Sequence, residues 1–558
     1  MKVVIVGGVA GGASAAARLR RLDEKAEIIV LERGSYISFA NCGLPYYIGG
    51  EIKKKSALTL QTPQSFKSRF NVEVRVNNEV PSIDTAAKTV TVPTAEGEYT
   101  ESNHKPILSP GAAPIVPPLP GADGSRVFTL RSIPDTERIR EYVEEEFPDS
   151  AVVIGGGYIG VEMAENLKKA GVETTIVELS DHLIAPLDYD MACEVHQYAR
   201  SQGLNLVLKN GVTAIEDNGG KMTVKLNDGS IETDMVILSV GVRPDTVLAK
   251  QAGLELNARG AILVDSHMLT SNPDIYAVGD AVEVTDFVTK QKAYVPLAGP
   301  ANKQGRIAAD NICGIPSEYK QTQGSSVLKL FDMTIAMTGV NERAAKAAGL
   351  DYDKMYTFNQ SHASYYPGAH GISMKVLYEK KTGRLLGAQL IGYDGVDKRC
   401  DVLAVAIRAG MTASDLTELE LCYAPPFGSA KDPVNYAGYA IQNVLTGKIK
   451  AFHWDEVASL PRDGSVTLLD VRTPAERENG AIEGFTGIPV DELREHIGEL
   501  DPKKPIYVHC QSGLRSYIAC RILAGYGFDC WNLTGGYRFY SLVVKETKAM
   551  EHPCYGTK

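Results

Sequence analysis

Two cysteines carry the reactive potential of this chain, and their surroundings differ. Cys42 stands in Ser38-Phe-Ala-Asn-Cys42-Gly-Leu-Pro, and Tyr47 occupies the position five residues on where a dithiol centre would place its second sulfur. A lone thiol cannot close an internal disulfide, but it can form a mixed disulfide with a small thiol and be released by reduction. Cys510 opens Cys510-Gln-Ser-Gly-Leu-Arg515, between the apolar run Ile506-Tyr-Val-His509 and a helix. The small residues let backbone N–H groups converge on the sulfur, and Arg515 with the helix start is expected to lower its pKa. That setting suits a thiolate that carries sulfur as a persulfide.

Each thiol needs elements to position it. Val3-Val-Ile-Val6 runs into Gly7-Gly-Val-Ala-Gly-Gly12, small residues Ala13–Ala17 open a helix, and a second strand Ile28-Ile-Val-Leu31 ends in Glu32. This is a strand–helix–strand plan in which glycines permit a tight turn, the helix start faces a pyrophosphate and the acid accepts from a ribose hydroxyl. Val9 stands where the fingerprint has its middle glycine. The pattern returns complete in Ala151–Ile154, Gly155-Gly-Gly157-Tyr-Ile-Gly160 and Thr175-Ile-Val177 ending in Glu178. An acid at that point bonds a 2′-hydroxyl and repels a 2′-phosphate, so NADH is favoured over NADPH unless an arginine from elsewhere restores phosphate binding. Two such units imply two dinucleotides, one held permanently and one exchanging.

At 558 residues the chain exceeds what one core supports, and three or four domains are expected. Lys and Arg number 58 against 68 Asp and Glu, a net charge of −10 without a long basic block, which argues against nucleic acid as a partner. No apolar run reaches the ~18–20 residues of a membrane span, so no membrane association is expected. The chain opens on an apolar strand without a leader-like pattern. Nine cysteines, scattered and without CxxC spacing, argue against a disulfide scaffold and a zinc site; no metal is expected, and a reducing cytoplasm fits.

A third signature, Thr270-Ser-Asn-Pro-Asp-Ile-Tyr-Ala-Val-Gly279-Asp280, resembles the pyridine nucleotide–disulfide oxidoreductase superfamily, whose aspartate at this point holds the flavin ribityl chain. Leu108-Ser-Pro-Gly111-Ala and Leu238-Ser-Val-Gly241-Val-Arg-Pro244 resemble its two crossing segments. The resemblance implies an α/β fold with two Rossmann-like domains: an FAD domain at 1–115 and 246–322, split by an NAD domain at 116–245. An α+β dimerisation domain follows at 323–446, so a homodimer is implied, and Gly447-Lys-Ile-Lys450 reads as a linker. By the same resemblance Gly7, Gly12, Glu32, Arg33, Gly111, Arg131, Asp280, Gly155, Gly157, Tyr158, Gly160, Glu178 and Gly241 serve the cofactors, with Tyr158 gating the nicotinamide pocket.

The stretch around Cys42 resembles the single-cysteine branch, which includes NADH peroxidase, water-forming NADH oxidase and coenzyme A disulfide reductase. Peroxidase and oxidase members carry a histidine in the first glycine turn; this chain has Ala10, and Gly7–Ser14 looks like the coenzyme A disulfide reductase opening. In that family, matches to Ser14, Arg18, Arg21, Ser38, Asn41 and Lys431 contact coenzyme A. Arg18 and Arg21, about one turn apart, read equally as a solvated helix face. Asn302 stands where the family can have a histidine contact. Tyr423 matches an active-site tyrosine supplied across the dimer, with Tyr365 or Tyr366 as another.

Leu468-Leu-Asp470-Val-Arg472-Thr-Pro-Ala-Glu476, the turn-rich Gly480–Pro489, the Cys510 loop and Cys530-Trp-Asn-Leu-Thr-Gly-Gly-Tyr537 together resemble a rhodanese-like α/β domain, placed at 452–550. Four residues separate Cys510 from Arg515, the sulfurtransferase length; phosphatases of that fold use five. Ala481 replaces a common histidine. The whole implies NADH- and FAD-dependent reduction of coenzyme A persulfide, polysulfide or disulfide through Cys42, with Cys510 carrying sulfane sulfur. The alternatives are an oxidase or peroxidase-like flavoenzyme, against which Ala10 argues, and a sulfurtransferase whose flavin part is a sensing platform. Cys520 and Cys530 are expected in the core, and Cys193, Cys313, Cys400, Cys422 and Cys554 carry no motif.

Overall fold

The computed structural model describes residues 1–94 and 97–551, so Cys554 lies outside the described residues. Packing divides the chain into two units: Met1–Leu179 with Gly203–Thr322, and Ser180–Gln202 with the chain from Gln323 onward.

The first unit holds two parallel five-stranded sheets. In one, Lys2–Val6 is central, flanked by Glu27–Glu32 in the register Lys2↔Glu27 to Val6↔Leu31 and by Ile107–Leu108. Glu73–Val76 and Tyr276–Ala277 form the edges. Val3, Val4 and Ile5 are fully buried, as near-continuous apolar strands of a doubly covered parallel sheet must be. The helix Ala10–Leu22 packs its Ala15, Ala16 and Leu19 face into this core. The second sheet repeats the plan around Ser150–Ile154, flanked by Glu173–Val177 and Met235–Leu238. The crossing strands Ala112–Pro114 and Val242–Pro244 pair antiparallel.

In the second unit an antiparallel sheet runs in the order Ser326–Leu330, Met333–Gly339, Leu385–Gly392, Gly371–Glu379, Tyr352–Gln360. A parallel sheet follows, with Ile506–His509 between Cys530–Leu533 and Thr467–Asp470 and with Lys450–Phe452 and Thr486–Gly487 at its edges. Lys450, expected in a linker, opens a strand opposite Trp531. The helix Tyr189–Ser201, inside the segment expected at 116–245, packs with this unit rather than with the sheet it follows.

The reason is a buried charge cluster. Lys375, fully buried, places Nζ 2.9 Å from Asp188, 2.8 Å from Asp190 and 2.5 Å from Glu342. Tyr356 hydroxyl and Trp454 Nε1, the latter at 3.2 Å, also donate to Asp190. Those three carboxylates lie close enough together to hold a metal ion, but Lys375 takes the central position. His453 Nε2 meets Asp353 at 2.8 Å, and Phe539 packs on Tyr356 with ring centres 4.6 Å apart and the rings tilted by 41°, which fastens the C-terminal sheet to the antiparallel one. Among the described residues no helix is long and apolar enough to cross a membrane.

Candidate functional site

In the first unit two glycine turns mirror each other. A Cβ on Gly12 would lie 1.9 Å from Gly7 O, and one on Gly160 1.9 Å from Gly155 O, so each helix can start tight against its strand only with glycine. Neither helix start is capped by a side chain, at Val9 or at Gly157, whereas Ile133–Glu146 and Pro63–Phe70 carry capping boxes. A Cβ on Gly157 would meet nothing within 4 Å, leaving space in front of those amides for an anion. Glu32 accepts from Gly8 and Gly34 N–H, both at 2.8 Å, and Glu178 accepts from Gly156 N–H at 2.6 Å. Each acid is thus held at the end of its second strand, where a ribose hydroxyl would meet it.

These features fit two dinucleotides, FAD and a nicotinamide cofactor. Gly111 and Gly241 take left-handed φ of 75° and 118° where the chain crosses between the sheets. Asp280 lies in the turn Gly279–Ala281 with Arg131 Nη2 3.9 Å away; burial raises its pKa and Arg131 opposes the rise. Arg33, assigned to the cofactor by resemblance, pairs with Asp245 at 2.7 Å. Tyr158 is the first residue of its helix and is half-buried.

Cys42 sits in the turn Asn41–Gly43, exposed, ahead of the short helix Leu44–Ile48. Tyr47 lies under the Arg140 guanidinium, 4.3 Å from ring centre to carbon, so no second sulfur stands at that position. Desolvation raises the Cys42 thiol above its ordinary pKa, Glu162 and Asp280 add to the rise and Arg131 opposes it. Glu162 is a residue that motif reading missed. It accepts from Tyr46 hydroxyl at 3.1 Å, and burial lifts its carboxyl to about 7, so it exchanges a proton near neutrality close to the Cys42 thiol. The available signal was spacing: Glu162 lies four residues beyond Tyr158, on the same helix face.

Beside the first helix opens a cavity of about 370 Å³ lined by Ser14, Arg18, Arg21, Ser38, Asn302 and Arg306, with Phe66 and Phe70 as its apolar wall. Ser14 Oγ and Asn302 Oδ1 are 2.5 Å apart, and Arg18 Nε is anchored on Asp310 at 2.6 Å. Three arginines with two aromatic rings make a receptor for a phosphorylated, ring-bearing ligand. Arg18 and Arg21 therefore line a concavity and do not form a plain solvated face. Ser38 takes a left-handed φ of 44°, unusual for serine, and Asn41 Oδ1 is buried without a partner, as expected where a ligand completes the contacts.

The second unit holds the remaining expected residues. Tyr423 and Tyr365 are both exposed and their hydroxyls lie 3.1 Å apart, whereas Tyr366 packs on His362. Lys431 is exposed beside Asp432, which caps the helix Pro433–Leu445 and holds buried Arg399 at 2.9 Å. Cys510 is fully buried, and its Sγ accepts from Gly513 N–H at 3.1 Å and Ser516 hydroxyl at 3.3 Å. Arg515, expected to lower the Cys510 pKa together with the helix start, bonds Glu476 with both terminal nitrogens, at 2.8 and 2.6 Å, and still interacts electrostatically with Cys510. Cys520 and Cys530 are core residues of this sheet; Cys193 and Cys400 are buried, Cys313 half-buried and Cys422 exposed.

A pyridine nucleotide-disulphide oxidoreductase family model matches residues 1–305, the family's dimerisation domain matches 325–433 and a rhodanese-like domain matches 453–541. A coenzyme A disulfide reductase of Staphylococcus aureus is 35% identical over 442 residues, 78% of this chain and 99% of that protein. Among solved structures, a reduced CoADR-RHD of Bacillus anthracis is 49% identical with TM-score 0.95, covering 98% of both chains. An NAD-dependent persulfide reductase from A. fulgidus is 38% identical with TM-score 0.90, covering 97% of this chain and 100% of that one. A water-forming NADH oxidase of Lactobacillus brevis is 32% identical with TM-score 0.77, covering 80% of this chain and 99% of that one. The chain belongs to the pyridine nucleotide-disulphide oxidoreductase family and carries that family's dimerisation domain with a rhodanese-like domain after it.

Proposed function

We propose that the protein is a cytoplasmic homodimeric flavoenzyme that uses NADH to reduce coenzyme A persulfide or coenzyme A disulfide through Cys42, and that Cys510 receives or delivers sulfane sulfur. The observation that carries this is a single exposed thiol, without a partner at position 47, in the same unit as two dinucleotide cradles and an arginine-lined cavity. The similarity to a coenzyme A disulfide reductase and to a persulfide reductase supports the same reading.

When bound, FAD and NADH supply two electrons as a hydride equivalent. The residues do the rest. Cys42 rests as a mixed disulfide with coenzyme A; reduction splits that bond and leaves the Cys42 thiolate and coenzyme A thiol. The thiolate then attacks the coenzyme A sulfur of a persulfide, restoring the mixed disulfide and ejecting hydrosulfide; with coenzyme A disulfide the leaving group is a second coenzyme A thiolate. Arg18, Arg21 and Arg306 hold the phosphates, Phe66 and Phe70 flank the base, and Asn41 orients the reacting end. The Tyr423–Tyr365 hydroxyl pair supplies the proton for the departing thiolate, from the partner subunit.

Glu178 makes NADH the better donor. Its replacement by alanine should lower kcat/KM for NADH about 10- to 100-fold, the worth of a hydrogen bond to a charged group, and narrow the gap to NADPH. Equal use of both donors by the unaltered protein contradicts this assignment. The division of labour between the thiols is tested by Cys510→Ser. Sulfurtransfer to cyanide should disappear while NADH-dependent reduction of coenzyme A disulfide keeps its rate; a parallel fall in both shows that Cys510 belongs to the reduction itself.

A further inference from the structure

Four arginines stand near the Cys510 loop, and each has a carboxylate partner. Arg538, whose backbone N–H donates to Gln511 O at 2.9 Å, meets Glu194 at 3.6 Å. Arg515 grips both oxygens of Glu476 at 2.8 and 2.6 Å. Arg472 meets Asp470 at 2.7 Å, and Arg477 approaches the same carboxylate at 3.4 Å. Glu476 is itself fixed, since it also accepts from Thr473 N–H at 3.0 Å and Thr473 hydroxyl at 3.1 Å at the start of the helix Pro474–Glu478. Hydrogen bonds from Arg515 draw its carboxyl down to about 2, so it stays ionised throughout the physiological range. Burial holds His509, beside the cysteine, down at about 4 and therefore neutral. The groups that touch the sulfur, Gly513 N–H and Ser516 hydroxyl, are neutral donors. Two N–H donors of the guanidinium that closes the loop are thus committed to a carboxylate whose charge offsets its own.

We propose that Glu476 determines donor specificity at Cys510: by holding Arg515 in a two-bonded ion pair, it makes the loop accept sulfur from thiol-bound persulfides, whose protonated form R–S–SH carries no charge on the reacting sulfur, in preference to small dianions such as thiosulfate. This rests on the reading of Cys510 as a sulfur carrier. In the step, the Cys510 thiolate attacks the terminal sulfur of R–S–SH. The Sγ–S bond forms, the S–S bond of the donor breaks, the electron pair leaves on RS⁻ and the proton stays with the transferred sulfur. With thiosulfate the same attack must expel sulfite beside an ionised Glu476, whose charge offsets that of Arg515.

The test treats the full-length holoprotein with iodoacetate and with iodoacetamide and follows alkylation of the Cys510 peptide by mass spectrometry. The two probes are of similar size, so the ratio of their rates cancels access to the buried sulfur and reads local charge. In the unaltered protein the iodoacetate-to-iodoacetamide ratio should be no higher than that of N-acetylcysteinamide. In Glu476→Gln, which keeps an acceptor for Thr473 but removes the negative charge, the ratio should rise about tenfold, and sulfurtransfer from thiosulfate should rise with it. An unchanged ratio with a lowered melting temperature makes Glu476 a helix cap only and overturns the proposal. So does a ratio in the unaltered protein well above the small-thiol reference, a result that needs no variant to fold. The alkylation ratio is read whether or not Cys510 carries sulfur, which Cys510→Ser tests separately.

Discussion

Cys42→Ser should lower NADH-dependent reduction of coenzyme A persulfide and coenzyme A disulfide at least about a thousandfold, because the nucleophile that links substrate to the electron source is gone. A serine hydroxyl is far too weakly acidic to replace a thiolate and cannot form the mixed disulfide. The dinucleotide cradles should survive, since the glycine turns, Glu32 and Glu178 hold backbone groups that do not involve Cys42. Flavin content and bleaching of the flavin by NADH should therefore remain near those of the unaltered protein. A variant that still turns over coenzyme A persulfide would show that sulfur is reduced without Cys42. Oxygen uptake with NADH alone, at a rate matching persulfide turnover in the unaltered protein, would instead favour the oxidase chemistry against which Ala10 argues.

Lys375→Met should be the most damaging change for stability. Lys375 is fully buried and pairs with Asp188, Asp190 and Glu342, the last of which Lys354 also meets at 3.1 Å. Methionine fills much of the volume but leaves the buried Asp188 and Asp190 facing each other without their lysine, while half-buried Glu342 keeps Lys354. The cost of an uncompensated buried charge is about 3–5 kcal/mol, a fall in melting temperature on the order of 10 °C for a unit of this size. The loss should depend on pH. Burial holds Asp188 above the ordinary carboxylate pKa in spite of Lys375; for Asp190 and Glu342 burial raises the pKa but Lys375 outweighs it and holds them below, so removing the lysine raises all three. A carboxyl whose folded pKa exceeds its unfolded value stabilises most when protonated and loses that contribution as pH rises through the folded pKa. Thermal melts of the variant should therefore recover towards the unaltered protein between pH 8 and pH 5; a deficit that does not change with pH contradicts the charge account.

Local features were legible in the sequence and long-range ones were not. The strand Ile506–His509 was read with the bounds it has, because an apolar run stops at a loop of small residues. Both glycine turns were read from spacing, since the chemistry there is backbone geometry within one strand–turn–helix unit. Lys450–Phe452 escaped because a three-residue edge strand shows no periodicity and depends on pairing with Trp531, Asn532 and Leu533 far along the chain. The helix Tyr189–Ser201 looks like part of the segment around it, and Lys375, Tyr356, Trp454 and Glu546, all far along the chain, explain why it packs elsewhere. Arg515 carries a motif and Glu476 stands at a helix start; that one carboxylate serves both is a three-dimensional fact.

The most direct measurement is peptide mass spectrometry of the full-length protein after incubation with coenzyme A disulfide, before and after NADH is added without oxygen. The account predicts a coenzyme A adduct on the Cys42 peptide that NADH removes, with release of one equivalent of coenzyme A thiol. An adduct confined to another cysteine, or one on Cys42 that persists through full reduction by NADH, would contradict it.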